Sequence, residues 1–214
     1  MTTSIRMQDK KLQIVKQAEV ALPTGNGTFQ LMAYAVEPND PMPHMVLINP
    51  ETDFTQVVNV RVHSECMTGD VFGSYRCECG EQLQKSFAYI SKHGGIVIYL
   101  RQEGRGIGII NKLHAYVKQD QGYDTAEANK VLGFGYDDRT YEDAITILHD
   151  LEVTDINLIT NNPDKIKSLD DDAHITVHDR IALDIKPKAE NRGYLQTKID
   201  KFGHELDLEN LNSQ

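Results

Sequence analysis

The chain has 214 residues, a formal charge of −10 at pH 7 and a mean hydropathy of −0.44. This length suffices for one compact domain with a sizeable buried core. The acidic charge argues against non-specific nucleic-acid binding, because a polyanion would be repelled. The first 17 residues lack the apolar segment of a secretory signal, and no apolar run reaches membrane-spanning length. We therefore expect a cytoplasmic protein that binds neither nucleic acid nor a membrane.

Three units are expected along the chain: a partly disordered leader at residues 1–17, a single domain at 18–204 and a polar tail at 205–214. Residues 28–35 and 57–62 are rich in β-branched and apolar residues and predict strands. A long polar loop is expected at residues 61–79.

The chain after Cys79 alternates helical and strand patterns. Leu83, Phe87 and Ile90 share one helical face, and Gly94-Gly95 ends that helix. Further helices are predicted at residues 109–121, from Asp124, at 141–151, from Pro163 and at 191–202, with buried strands at 96–100 and 156–160. The pattern indicates an α/β fold: a mixed β-sheet with helices packed on it and a strand-rich N-terminal part.

All three cysteines lie close together, as Cys66, ten intervening residues, and then Cys77-Glu78-Cys79. An odd number cannot form a closed disulfide set, so the cluster favours metal ligation in a reducing compartment. Zn²⁺ prefers four ligands, and three thiolates would leave one position for water, as in a catalytic site. Two alternatives stay open: a structural zinc with His63 or His114 as fourth ligand, and three reduced thiols without metal.

Charge adds a requirement to the zinc hypothesis. Three thiolates on Zn²⁺ carry a net charge of about −1, which weakens the metal as a Lewis acid. A base or cationic donor is therefore expected beside it, with Glu65, Asp137, Arg105 and Arg139 as candidates. His63-Ser64-Glu65 also matches the H-x-E element of zinc deaminases, although the P-C-x-x-C element is absent.

Two polar loops follow predicted strands and precede predicted helices. At residues 101–108 glycines would let backbone N–H groups approach a phosphate, with Arg101 and Arg105 nearby. At residues 160–165, Thr160 and Lys165 could hold a phosphate or a ribose. A plain tight turn and an ordinary helix cap are equally compatible with these two patterns.

Taken in order, these segments resemble GTP cyclohydrolase II, the enzyme that opens riboflavin biosynthesis. The resemblance covers roughly residues 18–204, and no segment resembling dihydroxybutanone phosphate synthase precedes it, so the single-function form is expected. The matching segments are Arg61-Val-His-Ser-Glu-Cys-Met-Thr-Gly-Asp70, Arg76-Cys-Glu-Cys-Gly80, Leu100-Arg-Gln-Glu-Gly-Arg-Gly-Ile-Gly108, and residues 111–112, 119–122, 124–125, 127–129, 132–134 and 160–163.

The resemblance implies a reaction in which GTP loses C8 as formate and also loses pyrophosphate. The implied product is 2,5-diamino-6-ribosylamino-4(3H)-pyrimidinone 5′-phosphate. The implied cofactors are one Zn²⁺ per subunit and Mg²⁺ with the triphosphate, and the implied assembly is a homodimer. The alternatives are a partial cyclohydrolase that retains the formyl group and a zinc-stabilised GTP-binding regulator without turnover.

Position by position, the resemblance implies that Cys66, Cys77 and Cys79 are the zinc ligands. It implies that Asp137 accepts a proton, that Arg139 attacks the α-phosphate and that Tyr116 assists at the ring. A guanidinium stays protonated, however, and stabilising phosphate charge is physically easier for it than nucleophilic attack. Gln82 or Glu103 is suited to reading guanine. The implied substrate-binding positions are Arg61, Val62, His63, Ser64, Glu65, Gln82, Glu103, Gly104, Arg105, Thr125, Thr160 and Lys165.

Overall fold

The structure is a computed structural model that describes residues 13–135, 137–183 and 185–204. The tail expected at residues 205–214 and the first twelve residues of the expected leader lie outside the described residues.

The described residues form one mixed sheet of seven strands in the order β1-β2-β3-β5-β4-β6-β7. β1 to β3 and β5 pair antiparallel, whereas β5, β4, β6 and β7 run parallel. The α/β prediction with a mixed sheet is confirmed. The strands are β1 Val15–Thr24, β2 Gly27–Ala35, β3 His44–Ile48, β4 Val58–Ser64, β5 Ile96–Leu100, β6 Asp155–Ile159 and β7 Thr176–Ile181.

Seven α-helices occur in the described part of the chain, together with a 3-10 turn at Glu103–Gly106. Each of the helices predicted from the sequence is present. Asp124 caps its helix by accepting from Glu127 N, and the Glu127 side chain accepts in return from Asp124 N. The helices are α1 Met67–Asp70, α2 Cys79–His93, α3 Gly108–Asp120, α4 Thr125–Val131, α5 Glu142–Asp150, α6 Pro163–Asp170 and α7 Arg192–Phe202.

Both faces of the sheet are buried, which explains the continuous apolar run of β5. Ile96, Ile98 and Leu100 belong to the core cluster that also contains Ile147 of α5. Val97 points the other way, into the cluster that contains Leu83 and Ile90 of α2. Because successive side chains of a strand face opposite sides, a strand covered on both faces has no polar positions to alternate with.

The structure departs from the sequence expectations in three places. β1 begins at Val15, so residues 15–17 of the expected leader belong to the sheet. β4 runs on to Ser64 and is followed by helix α1, so the loop expected at residues 61–79 is shorter and partly helical. Strands β1, β3 and β7 were not individually predicted.

The carboxyl ends of β4, β5 and β6 meet at one edge, because these three strands are parallel neighbours. The chain leaves these ends at Ser64, Leu100 and Ile159 and enters the three polar loops that carry the candidate site residues. Among the described residues, none of the helices combines the length and apolar character needed to cross a bilayer.

Ile98 allows a test of the core. It is fully buried on β5, between Val46 of β3 and Val62 of β4. Ile98→Ala should lower the free energy of unfolding by about 2–5 kcal/mol, through lost burial and a residual cavity. Val20→Ala on β1, where the side chain is 58% exposed, is the matched control and should change it by about 0.5 kcal/mol or less. Urea denaturation measures both, and equal losses would contradict this account of the core.

Candidate functional site

The three strand-end loops line one open cleft, with about 1040 Å³ of empty space including its mouth. Ser64, Glu65 and Cys66 come from the end of β4, Glu103 and Arg105 from the turn after β5, and residues 160–162 from the loop after β6. Helices α2, α3, α4, α6 and α7 supply further lining residues. The cleft therefore lies where the strand topology predicts a ligand site.

The three cysteines form one cluster at this cleft. Their sulfur atoms all lie within 4.8 Å of one another, and Cys66 Sγ is 3.6 Å from Cys77 Sγ. Tetrahedral Zn–S bonds of about 2.3 Å would separate two ligand sulfurs by about 3.8 Å. The donor set and its spacing thus fit a zinc ion. Within the described residues, no other group of three or more His, Cys, Asp or Glu side chains is arranged to share a metal.

Two glycines allow the two halves of the cysteine motif to approach. A Cβ atom at Gly80 would lie 2.3 Å from the carbonyl oxygen of Gly69, and one at Gly69 would lie 3.0 Å from Cys77 Sγ. Helix α1, which follows Cys66, can therefore pack against the start of α2 only because neither position carries a side chain. The sequence reasoning assigned no role to either glycine, although Gly80 directly follows Cys79 and Gly69 lies three residues after Cys66.

The histidines considered as a fourth ligand are placed elsewhere. His63 is buried and stacked on Tyr99; Arg61 Nη2 donates to its Nδ1 at 3.3 Å, and its Nε2–H donates to Asp70 at 3.1 Å. Burial lowers the pKa of His63, so the neutral ring with this tautomer is favoured. His114 lies exposed on α3. Of the two, neither is placed to complete a closed structural site.

The cationic donor expected beside the thiolates is Lys112, which was not among the candidates. Its Nζ lies 3.0 Å from Cys66 Sγ and 2.8 Å from Glu103 Oε1. Hydrogen bonds from the other two cysteines and the nearby ammonium hold the pKa of Cys66 far below its usual value. Although burial opposes it, the charge of Cys66 raises the pKa of Lys112. Hydrogen bonding to Cys66 and burial raise the pKa of Cys77 and Cys79.

The candidates named from the sequence have other contacts. Arg101 forms an ion pair with Glu65 at 3.1 Å and does not line the cleft. Burial raises the pKa of the Glu65 carboxyl. Arg105 lies over the ring of Phe202, 4.1 Å from its centroid, with a left-handed φ of 63°. That backbone conformation is uncommon for a residue with a side chain, and such strain is concentrated at ligand sites.

Asp137 and Arg139 form a half-buried ion pair with each other. Arg139 Nε donates to Asp137 Oδ1 at 2.8 Å, and a second guanidinium nitrogen donates to Oδ2. Although burial opposes both shifts, this contact lowers the pKa of Asp137 and raises that of Arg139. Both groups are thus held in their charged forms.

A group of buried cations also lines the cleft. Arg61 Nη1 donates to the carbonyl of Ile159 at 3.0 Å, and its Nε is buried without a hydrogen-bond partner in the described structure. Burial lowers the pKa of Arg61 to about 10. Lys165 Nζ donates to the carbonyl of Val62 at 2.8 Å, and burial together with the neighbouring cations lowers its pKa well below the usual value. These are charges whose burial is costly without a neutralising group.

The sequence of the loop after β6 left two interpretations open, a loop that holds a phosphate or ribose and an ordinary helix cap. The structure shows features of both. Asn162 caps α6 by accepting from Asp164 N at 2.9 Å, and Thr160 Oγ1 accepts from Asn162 N at 3.0 Å. Both residues nevertheless line the cleft together with Lys165. The turn is therefore an ordinary helix cap that also forms part of the wall.

Most of the predicted site residues come together at this cleft. Val62 is an exception, because its side chain lies in the hydrophobic core and only its carbonyl faces Lys165. Asp137 reaches the site through Arg139 and does not itself line the cleft. The predicted residues that line it are Arg61, His63, Ser64, Glu65, Cys66, Cys77, Cys79, Gln82, Glu103, Gly104, Arg105, Tyr116, Thr125, Arg139, Thr160 and Lys165.

Several lining residues were not predicted as site residues. Tyr194 and Lys198 come from α7, and Lys198 forms a buried ion pair with Glu78 of the cysteine motif. These two residues are 120 positions apart, so no local pattern could have joined them. The other unpredicted lining residues are Arg76, Gln102, Ile107, Lys112, Ala115, Gln119, Asn129, Asn161, Asn162 and His204.

A cleft at the ends of parallel strands, lined by candidate metal ligands and by buried cations, defines an α/β enzyme for an anionic substrate. Comparison with known families gives the particular class. The chain belongs to the GTP cyclohydrolase II family, whose model matches residues 15–182.

The chain is also similar to individual proteins over most of its length. The chain is 46% identical over 196 residues to a GTP cyclohydrolase-2 of Campylobacter fetus subsp. fetus, covering 92% of this chain and 98% of that one. It is 47% identical over 196 residues to a riboflavin biosynthesis protein RibBA of Bacillus cereus, covering 91% of this chain but 49% of that longer protein. A crystal structure of RibBX, a two-domain 3,4-dihydroxy-2-butanone 4-phosphate synthase from A. baumannii, matches with a TM-score of 0.44 at 18% identity, over 82% of this chain and 42% of that one.

The close approach of Gly69 and Gly80 generates a prediction. Gly80→Ala should lower zinc content well below one ion per chain and destabilise the protein by about 1–3 kcal/mol, because the added Cβ overlaps a backbone oxygen. Metal analysis and urea denaturation measure the two effects. Gly193→Ala is the matched control, also at the second position of a helix, where a Cβ would meet nothing within 4 Å. Gly80→Ala protein with a full complement of zinc would contradict the role assigned to this approach.

Proposed function

We propose that the cleft binds GTP with its Mg²⁺ and hydrolyses it as a GTP cyclohydrolase II, releasing C8 as formate and also pyrophosphate. The product would be 2,5-diamino-6-ribosylamino-4(3H)-pyrimidinone 5′-phosphate, made in the first step of riboflavin biosynthesis. The observation that carries the proposal is the pairing, within one cleft, of a three-cysteine cluster with a buried group of cations. Membership of the family supports the same reaction.

The cations are suited to the triphosphate. Arg61 and Lys165 are more than nine-tenths buried, and Arg139 lines the same cleft, close enough to Lys165 to lower its pKa. Their mutual repulsion and desolvation would be relieved by a polyanion, which is the condition under which such a cluster becomes favourable. Thr160 adds a hydroxyl at the same wall. Mg²⁺ would enter as part of the substrate and offset the charge of the pyrophosphate as it departs.

The cysteine cluster is suited to the purine ring. Cys66, Cys77 and Cys79 would hold Zn²⁺, which supplies Lewis-acid activation of water for attack on the electron-poor C8. Tyr116 lies next to this cluster, and its hydroxyl is 3.2 Å from Thr68 Oγ1. Burial raises its pKa, so the phenol keeps its proton and can donate a hydrogen bond to the opening ring. Glu65 lines the cleft beside Cys66 and is placed to carry a proton there.

Arg139 is better suited to stabilising charge than to attacking the α-phosphate. Its raised pKa and its two-point contact with Asp137 keep the guanidinium protonated, without a lone pair to donate. Asp137, with its lowered pKa, is a weak base and acts by fixing the orientation of that guanidinium. Charge on the phosphate would then be stabilised by a group already in position, without reorganisation during the step.

One experiment tests the proposed reaction. Zinc-loaded protein given GTP and Mg²⁺ should release formate and pyrophosphate, each measured by a coupled assay, with product mass confirmed by mass spectrometry. Cys77→Ser should lose zinc and formate release, while pyrophosphate release persists, because the cations that would contact the phosphates line the cleft but are not metal ligands. Wild-type protein stripped by a chelator and then resupplied with zinc is the control.

Each alternative has its own outcome in that experiment. A formylated product would indicate the partial cyclohydrolase, and GTP recovered unchanged from zinc-loaded protein would indicate a regulator. Full formate release by zinc-free protein would refute the metal role. A quenched chain heavier by one guanylyl group would refute the charge-stabilising role of Arg139.

We also infer a homodimer, in which α3 forms part of the interface. Ile110, Leu113 and Val117 occupy positions i, i+3 and i+7 of this helix and are exposed in the single chain. An apolar stripe of this spacing is typical of a face buried by a partner. Val117→Glu should convert the dimer to a monomer in light scattering, whereas Lys118→Glu should leave it dimeric. A wild-type protein that is monomeric at micromolar concentration would refute the inference.

A further inference from the structure

Lys112 lines the cleft beside the cysteine cluster and has no part in the proposed contacts to the phosphates. It lies on the face of α3 that also presents Ala115 and Tyr116 to the cleft, one helical turn further along. Its Nζ donates to Cys66 Sγ at 3.0 Å and to Glu103 Oε1 at 2.8 Å. The side chains of Lys112 and Glu103 are 12% and 9% exposed. Solvent therefore screens this contact little.

Glu103 fixes the ammonium in place. Its Oε1 accepts from Gly104 N at 2.7 Å as well as from Lys112, and its Oε2 accepts from Met67 N at 2.6 Å. Met67 directly follows Cys66, so one carboxylate holds both the lysine and the backbone that carries the sulfur. The arrangement resembles the outer hydrogen bonds that orient metal ligands in proteins.

Charge gives this contact a consequence for the metal. Three thiolates around Zn²⁺ leave a net charge of about −1, and sulfur donation makes the ion a weak Lewis acid. An N–H donor on one sulfur withdraws electron density from it, and the ammonium compensates the excess negative charge. Both effects would raise the Lewis acidity of the metal ion, which the three thiolate ligands lower.

We propose that Lys112 is a positioning residue that tunes the thiolate metal centre through Cys66, with Glu103 holding it there. This inference rests on the proposed function, because it deepens the account of the same site. Lys112 acts on the metal through its ligand, so it supports the ring-opening step and contributes little to GTP binding. Glu103 is correspondingly a support for the lysine and the Cys66 loop.

Lys112→Met and Lys112→Arg test the proposal. Lys118→Met on the same helix is the control, because Lys118 Nζ donates to Gln121 and the residue does not line the cleft. Each protein is loaded with Co²⁺ in place of zinc to equal cobalt per chain. Loss of the N–H donor should shift the sulfur-to-cobalt charge-transfer band of Lys112→Met to longer wavelength. Lys112→Arg should return the band toward the wild-type position, and Lys118→Met should leave it unchanged.

The zinc-loaded proteins supply the second measurement. Lys112→Met should lower kcat for formate release roughly 10- to 100-fold, with KM for GTP changed by less than about twofold. An unshifted band in Lys112→Met, or a raised KM with unchanged kcat, overturns the proposal. If Lys112→Met takes up no cobalt, Lys112→Arg must restore uptake, and failure to do so also overturns it.

Failure of the proposed function would be distinguishable from failure of the inference about Lys112. It would show as wild-type protein that releases no formate. The cobalt spectrum would still report whether Lys112 acts on the thiolate centre, because it requires no turnover.

Discussion

The placement of three cysteine sulfurs within 4.8 Å of one another is the constraint on which the site depends. Sulfurs packed this closely repel as thiolates, and a shared metal cation relieves that repulsion. The surrounding structure is arranged to hold them there. Gly80 admits the backbone of Gly69, and Asp70 accepts from the backbone N–H of Cys66 at 2.9 Å and from His63 and Tyr99. These close contacts therefore hold Cys66 and Cys77, which are eleven positions apart in the sequence, near enough to share one metal ion.

The cleft brings together two kinds of chemical group because its walls come from different parts of the sheet. The cysteine cluster is built by the chain after β4 together with α2 and α3, whereas Lys165 and Thr160 follow β6. Arg61 of β4 lies between them, bonded to the Ile159 carbonyl at the end of β6. A ligand suited to both would present an electron-poor ring to the cysteines and anionic groups to the cations. A purine nucleoside triphosphate has both features, spaced by its ribose.

The sequence predicted the elements that local patterns determine and missed those that depend on distant partners. The spacing of Leu83, Phe87 and Ile90 and the helix end at Gly94 are local features of the sequence. Helix α2 agrees with both, since it contains these three residues and ends at His93. β1 was missed because it is an edge strand, exposed along most of its length, whose partner β2 is what makes it a strand. The cysteines could be grouped from their spacing, but Lys112 could not be assigned to them. Its partner Cys66 lies 46 positions earlier, and only the direction of α3 brings the two together.

Helix α7 shows how far the site depends on contacts that no motif records. It lies beyond residues 15–182, the part matched by the family model, yet it provides Tyr194 and Lys198 to the wall. Lys198 pairs with Glu78 inside the cysteine motif, and the ring of Phe202 lies under Arg105, whose backbone is strained. Removing one partner of a buried ion pair leaves an uncompensated charge, which costs about 3–5 kcal/mol. Helix α7 therefore packs against both the cysteine motif and the turn after β5, and residues 192–202 contribute to the wall of a cleft lined mainly by residues 61–165.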